Sequence, residues 1–140
     1  MIKKIVICII LKNKRLMLQL RDNNKNIVFP NKWGFFGGGV KIGENPLYSV
    51  KREMNEELNL KNFKSLRFIN NYFDSKTNSL FYVYILRLKE KFELKEGVDY
   101  NFFFEYEYLS KKKSQKLKKI FKCADIRLMK IFGNMSKKFF

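Results

Sequence analysis

What most limits the folds open to this chain is a glycine-dense segment that runs directly into a helix start. Five of the seven glycines lie between Gly34 and Gly43. Without a Cβ, Gly37-Gly38-Gly39 lets the backbone pass close to a ligand and leaves amides and carbonyls free to meet a phosphate or a cation. Asn45 suits an N-cap and Pro46 the first helical position, so a helix is predicted from Pro46 to about Leu58. At about 100° per residue, Leu47, Val50, Met54 and Leu58 fall on one stripe roughly 80° wide, the predicted core face.

Beside that stripe, Glu53, Glu56 and Glu57 occupy a second arc of about 100°, with Glu57 almost on the apolar edge. Three carboxylates on adjoining turns repel one another, and Glu53/Glu57 at i,i+4 is itself unfavourable. Closeness to the core adds a desolvation cost. Relief of that repulsion predicts that Glu56→Gln and Glu57→Gln leave stability unchanged or raised. A hard divalent cation turns the same cluster into an asset, because Mg²⁺ takes oxygen ligands and is usually held by carboxylates plus substrate phosphates. Arg52, four residues before Glu56, is spaced to orient that carboxylate by a charge-assisted hydrogen bond. Taken alone, the acids fit an ordinary solvated helix face equally well. The glycine loop favours a site, as does Glu44 at the loop–helix junction: four of the thirteen acids lie within fourteen residues of a chain carrying a net charge of +17.

The rest of the 140 residues reads as one domain of α/β or α+β type with a mixed sheet. Ile5 to Leu11 is a continuous apolar run suited to a strand buried on both faces. After the turn-like Lys12-Asn13-Lys14, Arg15 to Arg21 alternates as a half-buried strand should, through Leu16, Leu18 and Leu20. Asp22 to Lys32 reads as a polar loop that leads into the glycine-rich segment from Trp33 to Gly39. Leu66 to Phe73 and Leu80 to Leu88 are predicted strands about the turn-rich Asp74 to Ser79. Glu90 to Asn101 reads as a loop, Phe102 to Tyr106 as a short strand, and Lys111 to Phe121 and Ala124 to Phe132 as basic helices.

Histidine is absent, which removes Ser-His and Cys-His nucleophilic machinery and every His-ligated metal. Chemistry here must run on carboxylates, lysines, arginines, backbone groups or a bound ion. Cys8 and Cys123 match no metal-site spacing and read as reduced thiols. The apolar run after Lys3 and Lys4 is too short for a membrane span and no small-residue cleavage site follows it, so a cytoplasmic location is the expectation. Eleven Lys/Arg against Asp125 alone in Ser110 to Phe140 raise a nucleic-acid surface as a function. The plainer account is a lysine-rich composition that scatters solvated charge, and it is preferred.

The segment from Gly38 to Leu60 resembles the signature of the Nudix hydrolase family, G-x5-E-x7-R-E-U-x-E-E-x-G-U, with U a bulky aliphatic residue. Gly38, Glu44, Arg52, Glu53, Met54, Glu56, Glu57 and Leu60 fill eight of its nine specified positions, with both gaps correct. Asn59 stands where the pattern has glycine, at a helix end where left-handed φ is called for and Asn is the next-best residue. Trp33-Gly34-Phe35-Phe36 resembles the strand that precedes this box, although Phe36 stands where many members have Pro. Leu94-Lys95-Glu96-Gly97 resembles an acid-bearing loop of MutT-like members.

The resemblance implies an α/β/α sandwich with a mixed sheet, as one domain over residues 1–140, with the box at 38–60 and a basic segment at about 111–138. It implies Mg²⁺, or Mn²⁺ in its place, bound by Glu53, Glu56, Glu57 and Glu96 with backbone of Gly37 and Gly38. Glu53, Glu56, Arg52 and Glu96 are the implied catalytic residues, and Glu44 and Asn59 the structural ones. The implied reaction is hydrolysis of a nucleoside diphosphate linked to another group, with a (d)NTP, oxidised forms included, or a nucleotide sugar as substrate. The alternative is an RNA-end pyrophosphohydrolase or an RNA-binding domain. The expected partner is a small nucleotide, with no membrane, and the expected state a monomer or homodimer. Trp33, Phe35, Phe36 and Tyr72 are candidates to stack on a base, and each is equally explained as core or sheet face.

Overall fold

The β-branched run near the N-terminus forms the middle of a mixed sheet. The computed structural model describes residues 1–13, 15–20, 33–89, 91–93, 95 and 99–104. Strand β1 (Lys3–Lys12) pairs in parallel with β6 (Ser79–Arg87) along nearly its whole length, Lys3 opposite Ser79 through Leu11 opposite Arg87. Its other edge is divided. Strand β2 (Arg15–Leu20) takes Ile10 to Lys12, and β4 (Phe36–Gly39) takes Ile5 to Cys8, both antiparallel. Strand β2 pairs along all six residues with β7 (Asp99–Phe104), so its partners β1 and β3 (Trp33–Gly34) share the remaining edge. The chain from Trp33 to Gly39 thus crosses from β2 to β1 where those two strands part. Strand β5 (Arg67–Asp74) lies beyond β6, antiparallel to it, with an irregularity between Phe68 and Asn70.

Helix α1 (Pro46–Leu58) has the predicted limits. Asn45 Oδ1 accepts the Tyr48 N–H at 2.8 Å, and Pro46 opens the helix, where its missing N–H costs nothing. At the other end Asn59 has φ 56° and donates its N–H to Asn55 O at 2.9 Å. Its role at the helix end is as expected. Val50, Met54 and Leu58, fully buried, join Val6, Cys8 and Ile10 of β1, Met17, Phe36 and Leu86 in one core. Alternate residues of a strand face opposite ways, and Ile7, Ile9 and Leu11 are buried too, so β1 is covered on both faces.

Four expectations are corrected. Leu47 is exposed rather than core: it is on the predicted stripe by angle, but burial along the helix begins only at Ser49. Strand β2 is not half-buried, since Leu16, Met17 and Leu18 have no exposure and Gln19 has 6 %; both of its faces are covered. The Trp33 to Phe36 strand breaks at Phe35, where the chain changes partner. The strand expected to begin at Phe102 begins at Asp99, which pairs with Leu20 of β2, while its expected end at Tyr106 lies outside the described residues. The predicted loop from Asp22 to Lys32 and the basic helices after Ser110 lie outside the described residues, as does the Trp33 side chain. Among the described residues no helix is long and apolar enough to cross a membrane.

Candidate active site

The acids of α1 and the loop before it form two hydrogen-bonded groups, both tied to the glycine strand. Arg52 organises the first. Its Nε and Nη2 grip Glu44 in a two-point contact at 2.6 and 2.8 Å, and Nη1 reaches Glu53 at 2.9 Å and Glu56 at 3.2 Å. Nη2 also donates to Gly39 O at 3.1 Å, which ties the helix to the glycine turn. The expected Arg52–Glu56 contact is therefore present, but Glu44 is the nearer partner. A guanidinium fork matches a carboxylate geometrically, and this one is half-buried, so the contact is stronger than a surface ion pair.

Glu44 is further fixed by the Lys41 N–H at 2.8 Å and the Ser49 hydroxyl at 3.1 Å. The Arg52 contact foremost, with the Lys41 and Ser49 bonds, draws its pKa down to about 2. Arg52 in turn is held charged, its pKa raised first by Glu44 and then by Glu53. Because the folded Glu44 titrates below an unfolded carboxylate, its contribution to stability is complete above pH ~4.5 and is lost as pH falls towards about 2. Glu44→Gln should therefore be less stable than the parent at neutral pH and lose less further stability over that window, as followed by thermal melts from pH 7 to 2. Parallel acid limbs would show that Glu44 gains nothing from its partners.

The second group is built on Glu57, only 3 % exposed. Its Oε1 accepts the Gly37 N–H at 3.1 Å and its Oε2 accepts Gln19 Nε2 at 2.9 Å. Gln19 also lies 3.4 Å from Phe35 O. The expectation that Glu57→Gln leaves stability unchanged or raised assumed one charge of a repelling solvated set, whereas the carboxylate is buried and accepts from Gly37 and Gln19. Burial foremost, with Glu57 adding to the effect, pushes the pKa of the fully buried Cys8 thiol up.

The glycines are where the two groups meet. Gly37 has φ +150°, and a Cβ there would lie 2.1 Å from Val6 O of β1. A Cβ on Gly38 would lie 2.3 Å from Glu53 Oε1 and 2.4 Å from its carboxyl carbon. The Glu53 carboxylate thus rests in the space that glycine leaves open, beside main-chain atoms that the sequence nominated with it. Glu53, Glu56 and Glu57 with peptide oxygens supply hard oxygen donors of the kind Mg²⁺ takes, and the residues present fit such an ion. Among the described residues no three ligating side chains yet converge on one point. Glu96 lies outside the described residues, but the segment leading to it is tied to the end of α1: Glu93 N–H donates to Leu58 O at 3.0 Å and Lys95 N–H to Glu57 O at 2.8 Å.

Two residues of this site have no part in the sequence-based expectations. Gln19 is the one polar residue inside Leu16-Met17-Leu18-Gln19-Leu20, and a lone amide in a buried run is a signal that it has a partner. Ser49 has no exposure at all and carries no sequence signal of its own. Of the stacking candidates, Phe35 and Phe36 are core, and Tyr72 stacks on Phe81 with centroids 6.4 Å apart.

The chain matches a family model described as NUDIX domain over residues 1–122. It is 36% identical over 102 residues to an 8-oxo-dGTP diphosphatase of Buchnera aphidicola subsp. Schizaphis graminum, covering 71% of this chain and 75% of that protein. Its fold is similar to a crystal structure from Deinococcus radiodurans, with a TM-score of 0.77 at 21% identity over 91% of this chain and 81% of the other. The MutT protein of Methanosarcina mazei Go1 gives a TM-score of 0.72 at 17% identity, with 96% and 95% covered.

Proposed function

Since the chain belongs to the NUDIX domain family and is a hydrolase acting on pyrophosphate bonds, we propose that it cleaves a (d)NTP, oxidised forms included, or a nucleotide sugar, using Mg²⁺ held by the acids of α1. The observation that carries this is the Glu53 carboxylate lying against the bare Cα of Gly38, inside the cluster that Arg52 organises. Glu53, Glu56 and Glu57, with a carbonyl of the Gly37–Gly38 turn, would hold the ion. When bound, Mg²⁺ offsets the phosphate charge and lowers the pKa of the attacking water. Arg52 and Glu44 keep the carboxylates in position so that they need not reorganise as the reaction proceeds. Glu96, nominated by the sequence alone, would take a proton from water or add an oxygen donor for the ion. That a relative is named an 8-oxo-dGTP diphosphatase makes oxidised purine triphosphates the first substrates to try.

The test is a panel with Mg²⁺: 8-oxo-dGTP, the ordinary (d)NTPs, nucleotide sugars and a 5′-triphosphate RNA, with products separated chromatographically. Turnover of a small nucleotide should vanish in EDTA and return with Mg²⁺ or Mn²⁺. Full turnover in chelator would sink the metal assignment. Activity confined to the RNA, steepening as salt falls, would favour the RNA-end alternative.

A further inference from the structure

Gln19 is a buried polar side chain that reaches the acidic helix from β2, across the sheet's divided edge. It sits on β2 just where that strand leaves β1 for β3, and only 6 % of it is exposed. Both groups its amide faces are acceptors, a carboxylate oxygen and the Phe35 carbonyl, so the amide must present Nε2 to them. Glu57 is thereby held at both oxygens, Oε1 from β4 and Oε2 from β2. A free Glu side chain has three torsions to settle. This one is fixed by two separate strands before any ion arrives.

We infer that Gln19 is a positioning residue for the cation site: it sets the orientation of the Glu57 carboxylate, and so tunes cation affinity without touching ion or substrate. The inference rests on the metal-holding role proposed for Glu57. Groups that hydrogen-bond to metal-ligating carboxylates typically change metal affinity by about 10–100-fold when removed. A residue that served packing alone would leave that affinity unchanged. Gln19→Met keeps length and volume but removes the donor. Gln19→Asn keeps the amide and draws it back by one methylene, a milder change should the Met variant fold poorly.

The experiment titrates Mn²⁺ alone, without nucleotide, into the full chain, its Gln19→Met and Gln19→Asn variants, Glu53→Gln, and Leu18→Val. Leu18 is the neighbouring core residue on the opposite face of β2, and its truncation lowers stability without reaching Glu57. Binding is read by calorimetry and folding by thermal melts. The Kd for Mn²⁺ should rise about 10–100-fold in Gln19→Met, by a smaller factor in Gln19→Asn, and not in Leu18→Val. At saturating metal, nucleotide KM should stay within about twofold in the Gln19 variants, because the side chain does not meet substrate. Parent-like Mn²⁺ affinity in either folded Gln19 variant overturns the inference, as does an equal loss in Leu18→Val. If the parent chain binds no Mn²⁺, or Glu53→Gln binds it as the parent does, the metal site itself fails, which is a distinguishable result.

Discussion

Glu53→Gln and Glu57→Gln should each lower kcat by at least ~10²-fold, yet only Glu57→Gln should melt at a lower temperature. Both remove a charge from the proposed ion site at nearly constant volume. Glu53 has a half-buried side chain whose partner Arg52 keeps Glu44 and Glu56, so losing that charge changes stability by no more than about 1 kcal/mol. Glu57 is different because both oxygens accept buried donors. A Gln there points its own NH₂ either at the Gly37 N–H, donor against donor, or at Gln19, whose amide must then flip and set its oxygen against the Phe35 carbonyl. An unsatisfied buried polar group costs ~1–3 kcal/mol, which for a chain of this size is a fall in Tm of roughly 3–10 °C. Kinetics at saturating Mg²⁺ and thermal melts on the same preparations check both halves. Wild-type turnover in both variants would return the acids to the solvated-face alternative, and equal melting temperatures would remove the buried Glu57 network.

Gly37→Ala and Gly38→Ala should fail in opposite ways. At Gly37 the backbone has φ +150°, and the added Cβ would meet Val6 O, a main-chain atom of the central strand. Neither can yield without parting β4 from β1, so a destabilisation of about 3 kcal/mol or more is expected. At Gly38 the obstacle is the end of the Glu53 side chain, which can swing aside. Stability should then change by less than about 1 kcal/mol, while displacement of that carboxylate lowers kcat by about 10²-fold or more. Denaturant unfolding separates the two from each other, and steady-state kinetics on the folded Gly38→Ala protein completes the comparison. A Gly38→Ala enzyme with full activity would mean that Glu53 does not act from where the structure holds it.

The helix from Pro46 to Leu58 and both of its caps were legible from the chain alone, because Asn45, Pro46 and Asn59 act within one turn of themselves and need no distant partner. The strand character of Ile5 to Leu11 was legible for a similar reason, since an apolar run that short and β-branched has few other uses. The spacing of Glu44, Arg52, Glu53, Glu56 and Glu57 also carried the candidate site, as contacts at i,i+4 and across one loop follow from helix geometry. Tertiary structure decided the rest. That Glu57 lies in the core and Glu56 in solvent depends on how α1 is rotated against β1, and a helical wheel placed Glu57 only near the edge of the stripe. The union of Gln19 with Glu57, thirty-eight residues apart, depends on β2 parting from β1 to admit the glycine strand, and no local propensity encodes a strand's choice of neighbour. Local hydrogen bonding and periodicity are properties of adjacent residues and are written in their order; burial and partnership across the sheet are properties of packing, and exist only once the chain has closed on itself.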